Sequence, residues 1–171
     1  MIEIKDNLLE EKEFNELQNA ITGPRFPWFY LPIIDFAEDQ KDQDKFQFIH
    51  LFYENEPTSS ATEILNPVIN KIFPCLLWRI KANLLTKKPN IIENEFHVDM
   101  GLENKNQNLQ LQKKLNQLTT SIFYVNSNNG YTKFADGTKI ESVANRLISF
   151  PSSMRHKGTS CTDKKVRIVI N

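Results

Sequence analysis

The C-terminal half of the chain carries His97-Val98-Asp99, a second histidine at His156 and an arginine at Arg167. Two neutral imidazoles and one carboxylate can occupy one face of an octahedral metal and leave the other positions open, the arrangement typical of non-haem iron(II) centres that handle dioxygen. An arginine adds a planar fork that grips a carboxylate in two places. Together these residues could hold a metal and anchor an anionic ligand beside it.

The elements that position them follow from the surrounding pattern. Successive strand side chains point to opposite faces, so on a strand over Phe96-His97-Val98-Asp99 the heads of His97 and Asp99 share a side and converge on one ion. His156 would complete the set. Arg167 lies in Val166-Arg167-Ile168-Val169-Ile170, a β-branched run that reads as a strand. Between it and His156 runs a polar stretch with the Gly, Ser and Asp of a turn. The expectation is that the His156 and Arg167 segments pair as neighbouring antiparallel strands, with Arg167 deeper in the cavity that holds His156. Val166, Ile168 and Ile170 then face the other side of the sheet, which helices should cover.

Taken as an ordered set, the C-terminal half resembles the 2-oxoglutarate- and iron(II)-dependent dioxygenases of the prolyl 4-hydroxylase-like branch. The residues that carry the resemblance are His97-x-Asp99, Thr119-Thr120-Ser121-Ile122-Phe123-Tyr124-Val125-Asn126, Gly130-Tyr131-Thr132-Lys133-Phe134, Asn145-Arg146-Leu147-Ile148-Ser149-Phe150, His156 and Arg167. It covers about residues 78 to 171. The resemblance implies that His97, Asp99 and His156 are the iron ligands and that Arg167 holds the distal carboxylate of 2-oxoglutarate. It implies further that Tyr124 contacts the same carboxylate and that Asn83, on an earlier strand, is a polar contact to the cosubstrate. One departure is that Asn129-Gly130-Tyr131 stands where the family often has paired glycines.

Composition sets bounds on the alternatives. At 171 residues the chain has the length of a single domain and can bury a sizeable core. Residues 1 to 77 read as a largely helical support region and 78 to 171 as the β core that binds metal and cosubstrate. Twenty-one basic and twenty-one acidic residues cancel, so there is no long-range field to gather nucleic acid or an anionic membrane. No apolar run is long enough for a membrane span, and the start of the chain lacks the apolar core of a signal peptide. Cys75 and Cys161 lie in unlike contexts and do not suggest a disulfide. A reducing, cytoplasmic setting suits both the free thiols and ferrous iron.

Along the chain, Leu8 to Ile21 has apolar residues at helical spacing and should end near Gly23-Pro24. The prolines of residues 24 to 36 exclude regular helix there, and the aromatics among them are read as core. Residues 38 to 45 read as a charged loop. Phe46 to Tyr53 reads as a strand with His50 in a structural role. Ala61 to Leu77 reads as a second helix capped by Ser59 or Ser60. The amide-rich stretch 101 to 117 reads either as a solvated excursion or as a lid over the site. Strands are expected at Thr119–Asn126, Thr132–Phe134, Leu147–Phe150 and Val166–Ile170, with Asp136-Gly137 as a hairpin signal. On the first of these Tyr124 should share a face with Ile122 and Asn126, opposite Phe123 and Val125.

The fold expected is mainly β with flanking N-terminal helices, a double-stranded β-helix of the jelly-roll or cupin-like kind. The activity that the resemblance implies is hydroxylation of a small-molecule or peptidyl substrate, a prolyl or other amino-acid residue, using iron(II), 2-oxoglutarate and dioxygen. Two alternatives use the same residues differently. A zinc hydrolase could use the two histidines and the aspartate, and a non-catalytic jelly-roll binding domain could keep the barrel without turnover.

Overall fold

The structure, a computed structural model, describes residues 1–35, 41–42, 44–99 and 117–171. The proposed lid, 101 to 117, lies outside the described residues except for Gln117. Eleven strands occur among the described residues: β1 (Glu3–Lys5), β2 (Phe29–Leu31), β3 (Gln47–Glu54), β4 (Glu56–Pro57), β5 (Arg79–Thr86), β6 (Thr119–Tyr124), β7 (Tyr131–Phe134), β8 (Lys139–Glu141), β9 (Arg146–Pro151), β10 (His156–Gly158) and β11 (Val166–Ile170). They form an eight-stranded antiparallel sheet in the order β1-β9-β6-β11-β5-β3-β2, with β4 added on β3. A smaller sheet has the order β10-β7-β8. The pairing of two antiparallel sheets around a common interior is that of the expected jelly roll.

Alternation along the central strands decides what lies on each face. On β6, Phe123 and the following Val125 join one core cluster while Ile122 and Tyr124 join another. On β11, Ile168 and Ile170 belong to the first cluster and Val169 to the second. The first cluster is the outer face of the large sheet, covered by helix α1 (Glu11–Thr22) and by helix α2 (Asn66–Ile72) with the 3-10 turn that precedes it, Ser60–Leu65. The second is the interior, where Ile122, Tyr124, Ile148, Phe150 and Val169 meet Phe134 and Ile140 of the small sheet. The division of faces read from the sequence is the one found.

Helix α1 buries Phe14, Leu17 and Ile21, a stripe at helical spacing, and Phe14 meets the Phe123 ring edge-on at 6.2 Å. Asn145, at a left-handed φ of 62° that asparagine tolerates, fixes the start of this region. It accepts from the Leu9 N–H at 2.9 Å and donates to the Leu9 carbonyl at 2.8 Å.

Three expectations are corrected. The second helix is not continuous over 61–77: it begins as a 3-10 turn with Ser59 accepting from the Ala61 N–H, becomes α-helical at Asn66, and stops at Phe73 in the left-handed region (φ 49°). Pro67 at the start of α2 and Pro74 after it account for both boundaries, since proline favours a first helical turn and prevents continuation. The segments of His156 and Arg167 are not neighbours in one sheet. β10 pairs with β7, whereas β11 pairs with β5 and β6, so the polar connection between them crosses from the small sheet to the large one. Residues 96–99 form no regular strand, only a single antiparallel bridge between His97 and His156.

Candidate metal centre and anion pocket

That bridge joins the two histidines backbone to backbone, the His97 N–H donating to the His156 carbonyl at 2.9 Å and the reverse bond being 3.0 Å. Their rings come to 4.9 Å between centroids. One ligand atom from each of His97, Asp99 and His156 lies within 4.8 Å of the other two. The structure therefore brings the three residues together, with a backbone bridge in the role expected of a strand.

The hydrogen bonds fix the tautomers. Nδ1 of His156 lies 3.1 Å from the Met154 carbonyl, and Nδ1 of His97 lies 3.1 Å from the Glu95 carbonyl and 3.2 Å from Oδ1 of Asp35. Carbonyl and carboxylate oxygens only accept, so each Nδ1 carries a proton, and in the neutral ring this tautomer leaves Nε2 its lone pair for a metal. Burial holds the pKa of His156 below the usual imidazole range, against the opposing pull of Asp99. Its ring is walled by Phe134 and Phe150.

Asp99 uses its two oxygens unequally. Oδ1 accepts from the Asn171 side-chain amide at 2.7 Å and pairs with Arg79 at 3.5 Å. Oδ2 is buried and has no hydrogen-bond partner among the described residues, 3.6 Å from Nε2 of His156. A buried carboxylate oxygen without a donor is costly in an otherwise satisfied interior, on the order of 1–3 kcal/mol. A cation held by Asp99, His97 and His156 would remove that cost, and the donor set of two imidazoles and one carboxylate suits iron(II) or zinc.

Arg167 projects into the same cavity from the facing sheet and is only 3% exposed. Its Nε donates to Ser142 Oγ at 2.9 Å and its Nη2 to Thr132 Oγ1 at 3.3 Å. Among the described residues no carboxylate pairs with it. Burial lowers its pKa from the free guanidinium value, with Tyr124 opposing. A buried cation held by hydroxyls alone is a site for an anion.

Tyr124 lies behind this layer. Its hydroxyl donates to Thr132 Oγ1 at 2.8 Å and its ring carries the guanidinium at 5.8 Å. Burial raises its pKa and keeps it a donor. Thr132 accepts from both Tyr124 and Arg167, which leaves its own hydroxyl proton to donate into the cavity it lines. Asn83 also lines the cavity and donates to Oδ1 of Asn171 at 2.8 Å, so Asn83, Asn171 and Asp99 form one hydrogen-bonded chain. The cavity has a volume of about 90 Å³ and spans from the His97, Asp99 and His156 cluster to Arg167.

Sequence reasoning missed Thr132, Asn171, Asp35 and Lys81, all of which line this cavity. Lys81 had a signal, because it sits two residues before Asn83 and so on the same strand face. Asp35 had none; its link to His97 is a tertiary contact from a stretch without periodicity.

No family model matches the chain, and no curated protein does. Solved structures do. The chain is similar over 99% of its length to a prolyl hydroxylase from Trichoplax adhaerens in complex with a hypoxia inducible factor peptide fragment, at 15% identity, TM-score 0.62 and 80% coverage of that chain. It is similar over 99% of its length to an oxidoreductase of the 2OG-Fe(II) oxygenase family from Burkholderia pseudomallei, at 11% identity, TM-score 0.62 and 82% coverage. A viral collagen prolyl hydroxylase from Paramecium Bursaria Chlorella virus-1 is similar at 15% identity, TM-score 0.51 and 86% coverage. At these identities the likeness is one of fold, and the fold is the jelly roll of the 2-oxoglutarate oxygenases.

Proposed function

We propose that the protein is a 2-oxoglutarate- and iron(II)-dependent dioxygenase that hydroxylates an organic substrate and releases succinate and carbon dioxide. The observation that carries the proposal is the buried Oδ2 of Asp99, unpartnered among the described residues and grouped with His97 and His156, in a cavity whose other end is a buried arginine that no described carboxylate pairs with. Ferrous iron held there would supply activation of dioxygen coupled to decarboxylation of the 2-oxo acid.

The protein's own residues do the rest. His97, Asp99 and His156 hold the metal, with Asp35 and the Glu95 and Met154 carbonyls fixing the two rings through Nδ1. Arg167 and the Thr132 hydroxyl bind the far carboxylate of 2-oxoglutarate, and Tyr124 holds Thr132 and the guanidinium in place from behind. Ile122 and Val169 line the cavity and, with Phe150 against His156, keep it dry. Asn83 supports Asp99 through Asn171.

The substrate is proposed to be a peptidyl or free amino acid, proline first. This rests on fold-level likeness to prolyl hydroxylases, one of them in complex with a peptide fragment. The free cysteines, Cys75 exposed and Cys161 buried, fit a cytoplasmic setting. A zinc hydrolase would use the three ligands but would have no use for the buried Arg167, which favours the oxygenase. The test is anaerobic addition of 2-oxoglutarate to the ferrous protein. A visible charge-transfer band of the chelated keto acid is expected, and its absence would overturn the proposal.

A further inference from the structure

Among the described residues that line the cavity, Lys81 is the one charged side chain that the proposed chemistry leaves without work. It lies on β5, whose Leu85 is registered against Arg167 and whose Asn83 is registered against Val169. Alternation puts Lys81, Asn83 and Leu85 on the face that lines the cavity, and all three do line it. Four residues separate Lys81 from Leu85, about 13 Å at strand rise, so Lys81 stands at the opposite end of the cavity from Arg167. Its backbone is bonded in both directions to Asn171, at 2.7 and 2.9 Å, and Asn171 donates to Asp99. Lys81 is therefore beside the metal cluster.

The acids near it are occupied by others. Oδ1 of Asp99 is taken by Asn171 and Arg79, and Oδ2 faces His156. Asp35 is engaged by His97 and by the Glu95 N–H at 2.8 Å. Burial and then Arg79 lower its pKa from the usual ammonium value, with Asp99 and Asp35 opposing through space. Among the described residues its ammonium makes no hydrogen bond or ion pair. Once a metal takes up the Asp99 charge, this ammonium has still less compensation inside a small cavity.

We infer that Lys81 is a second carboxylate-binding cation of the site, holding a carboxylate at the metal end as Arg167 holds one at the far end. The inference rests on the function proposed above. Two carboxylates could fill the role: the near carboxylate of 2-oxoglutarate, or one carried by the substrate. The shared chemistry is the same, an ammonium donating to a carboxylate within a desolvated pocket.

The experiment uses the anaerobic ferrous protein, wild type, Lys81→Met and Lys81→Arg, with binding as the readout. The first arm titrates 2-oxoglutarate against the chelate band. The second measures L-proline and L-prolinamide binding to the ferrous 2-oxoglutarate complex by calorimetry. Lys81→Met should weaken one of the two carboxylates by about tenfold or more, with Lys81→Arg restoring most of it, while ferrous affinity stays within about twofold. A loss in the first arm identifies the cosubstrate as the source. Loss of a preference for L-proline over its amide identifies the substrate. If Lys81→Met matches wild type in both arms, the inference is overturned. If wild type gives no chelate band at all, the proposed function fails instead, and the second arm run on the ferrous protein alone still decides Lys81.

Discussion

Nε2 of His156 and Oδ2 of Asp99 face each other at 3.6 Å, and both are acceptors. The Met154 carbonyl holds the His156 proton on the far nitrogen, so no hydrogen bond relieves the contact. A metal relieves it, and so would an amide.

Asp99→Asn should therefore separate stability from function. With its amide nitrogen toward His156 and its oxygen kept toward Asn171, the variant satisfies the orphaned position, a gain of about 1–2 kcal/mol that the lost pairing with Arg79 offsets only in part. Denaturation of the metal-free proteins should find Asp99→Asn at least as stable as wild type. Metal should raise the melting temperature of wild type alone, since binding to the folded state at a hundredfold excess over Kd contributes about 2.7 kcal/mol. A variant that is less stable without metal, or still stabilised by it, would show that Oδ2 is not the ligand.

How far the site was legible depends on whether its geometry is local. Tyr124, Asn83 and Arg167 sit on regular strands of five residues or more, so the face each presents follows from period two. The convergence of His97 with His156 does not follow, because it is made by one backbone bridge between segments far apart in the sequence. The strands β1, β2 and β8 have three residues each, too short for any period to show. His50 is structural, as its strand context suggests: its two nitrogens meet the Pro27 carbonyl and Ser59 Oγ at 2.8 and 3.0 Å. The aromatics of residues 24–36 divide, with Phe26 and Trp28 packed on the core and Phe29 and Tyr30 exposed on an edge strand, a distinction that depends on which strand lies outermost.

Glu93 fastens the segment that carries His97. Its carboxylate accepts from Tyr131 at 2.6 Å, from Lys133 at 3.0 Å and from Lys157 at 2.8 Å, which holds its pKa at about 2, Lys157 contributing most, and pushes Tyr131 up to about 12. A depressed carboxylate stabilises the fold above its unfolded pKa and loses that contribution as pH falls through the folded one. Glu93→Gln should thus cost about 1 kcal/mol near neutral pH, after screening at its exposed flank. The difference from wild type should shrink as pH falls from 4.5 toward about 2. Urea denaturation at several pH values tests this, and a difference that does not change with pH would show that Glu93 acts by packing and not by charge.

Gly130 stands where the family resemblance departs, and the structure gives it a steric reason. A Cβ there would come within 2.7 Å of both Arg167 Cδ and the Ser160 carbonyl oxygen, and within 2.8 Å of Asn128 Oδ1. Gly130→Ala should destabilise by about 1–3 kcal/mol and shift the guanidinium. Cosubstrate affinity should fall while metal affinity holds, because the displaced residue is the proposed anchor and not one of the proposed ligands. Equal losses of both on titration would mean that the whole cavity has moved.

The most discriminating prediction concerns Arg167 itself, because neither a hydrolase nor an inert barrel needs it. Truncating one partner of a buried charge-assisted pair costs roughly 2–5 kcal/mol, much of it from stranding the other charge. Arg167→Ala should raise the 2-oxoglutarate requirement by about thirtyfold or more. Tyr124→Phe should cost less, since its hydroxyl acts on the ligand only through Thr132, and Thr132→Val should fall between the two, losing a direct donor. Ferrous affinity should be nearly unchanged in all three. Succinate release against cosubstrate concentration, with metal affinity measured separately, gives the order; wild-type behaviour of Arg167→Ala would place the carboxylate elsewhere and leave the buried guanidinium without a role.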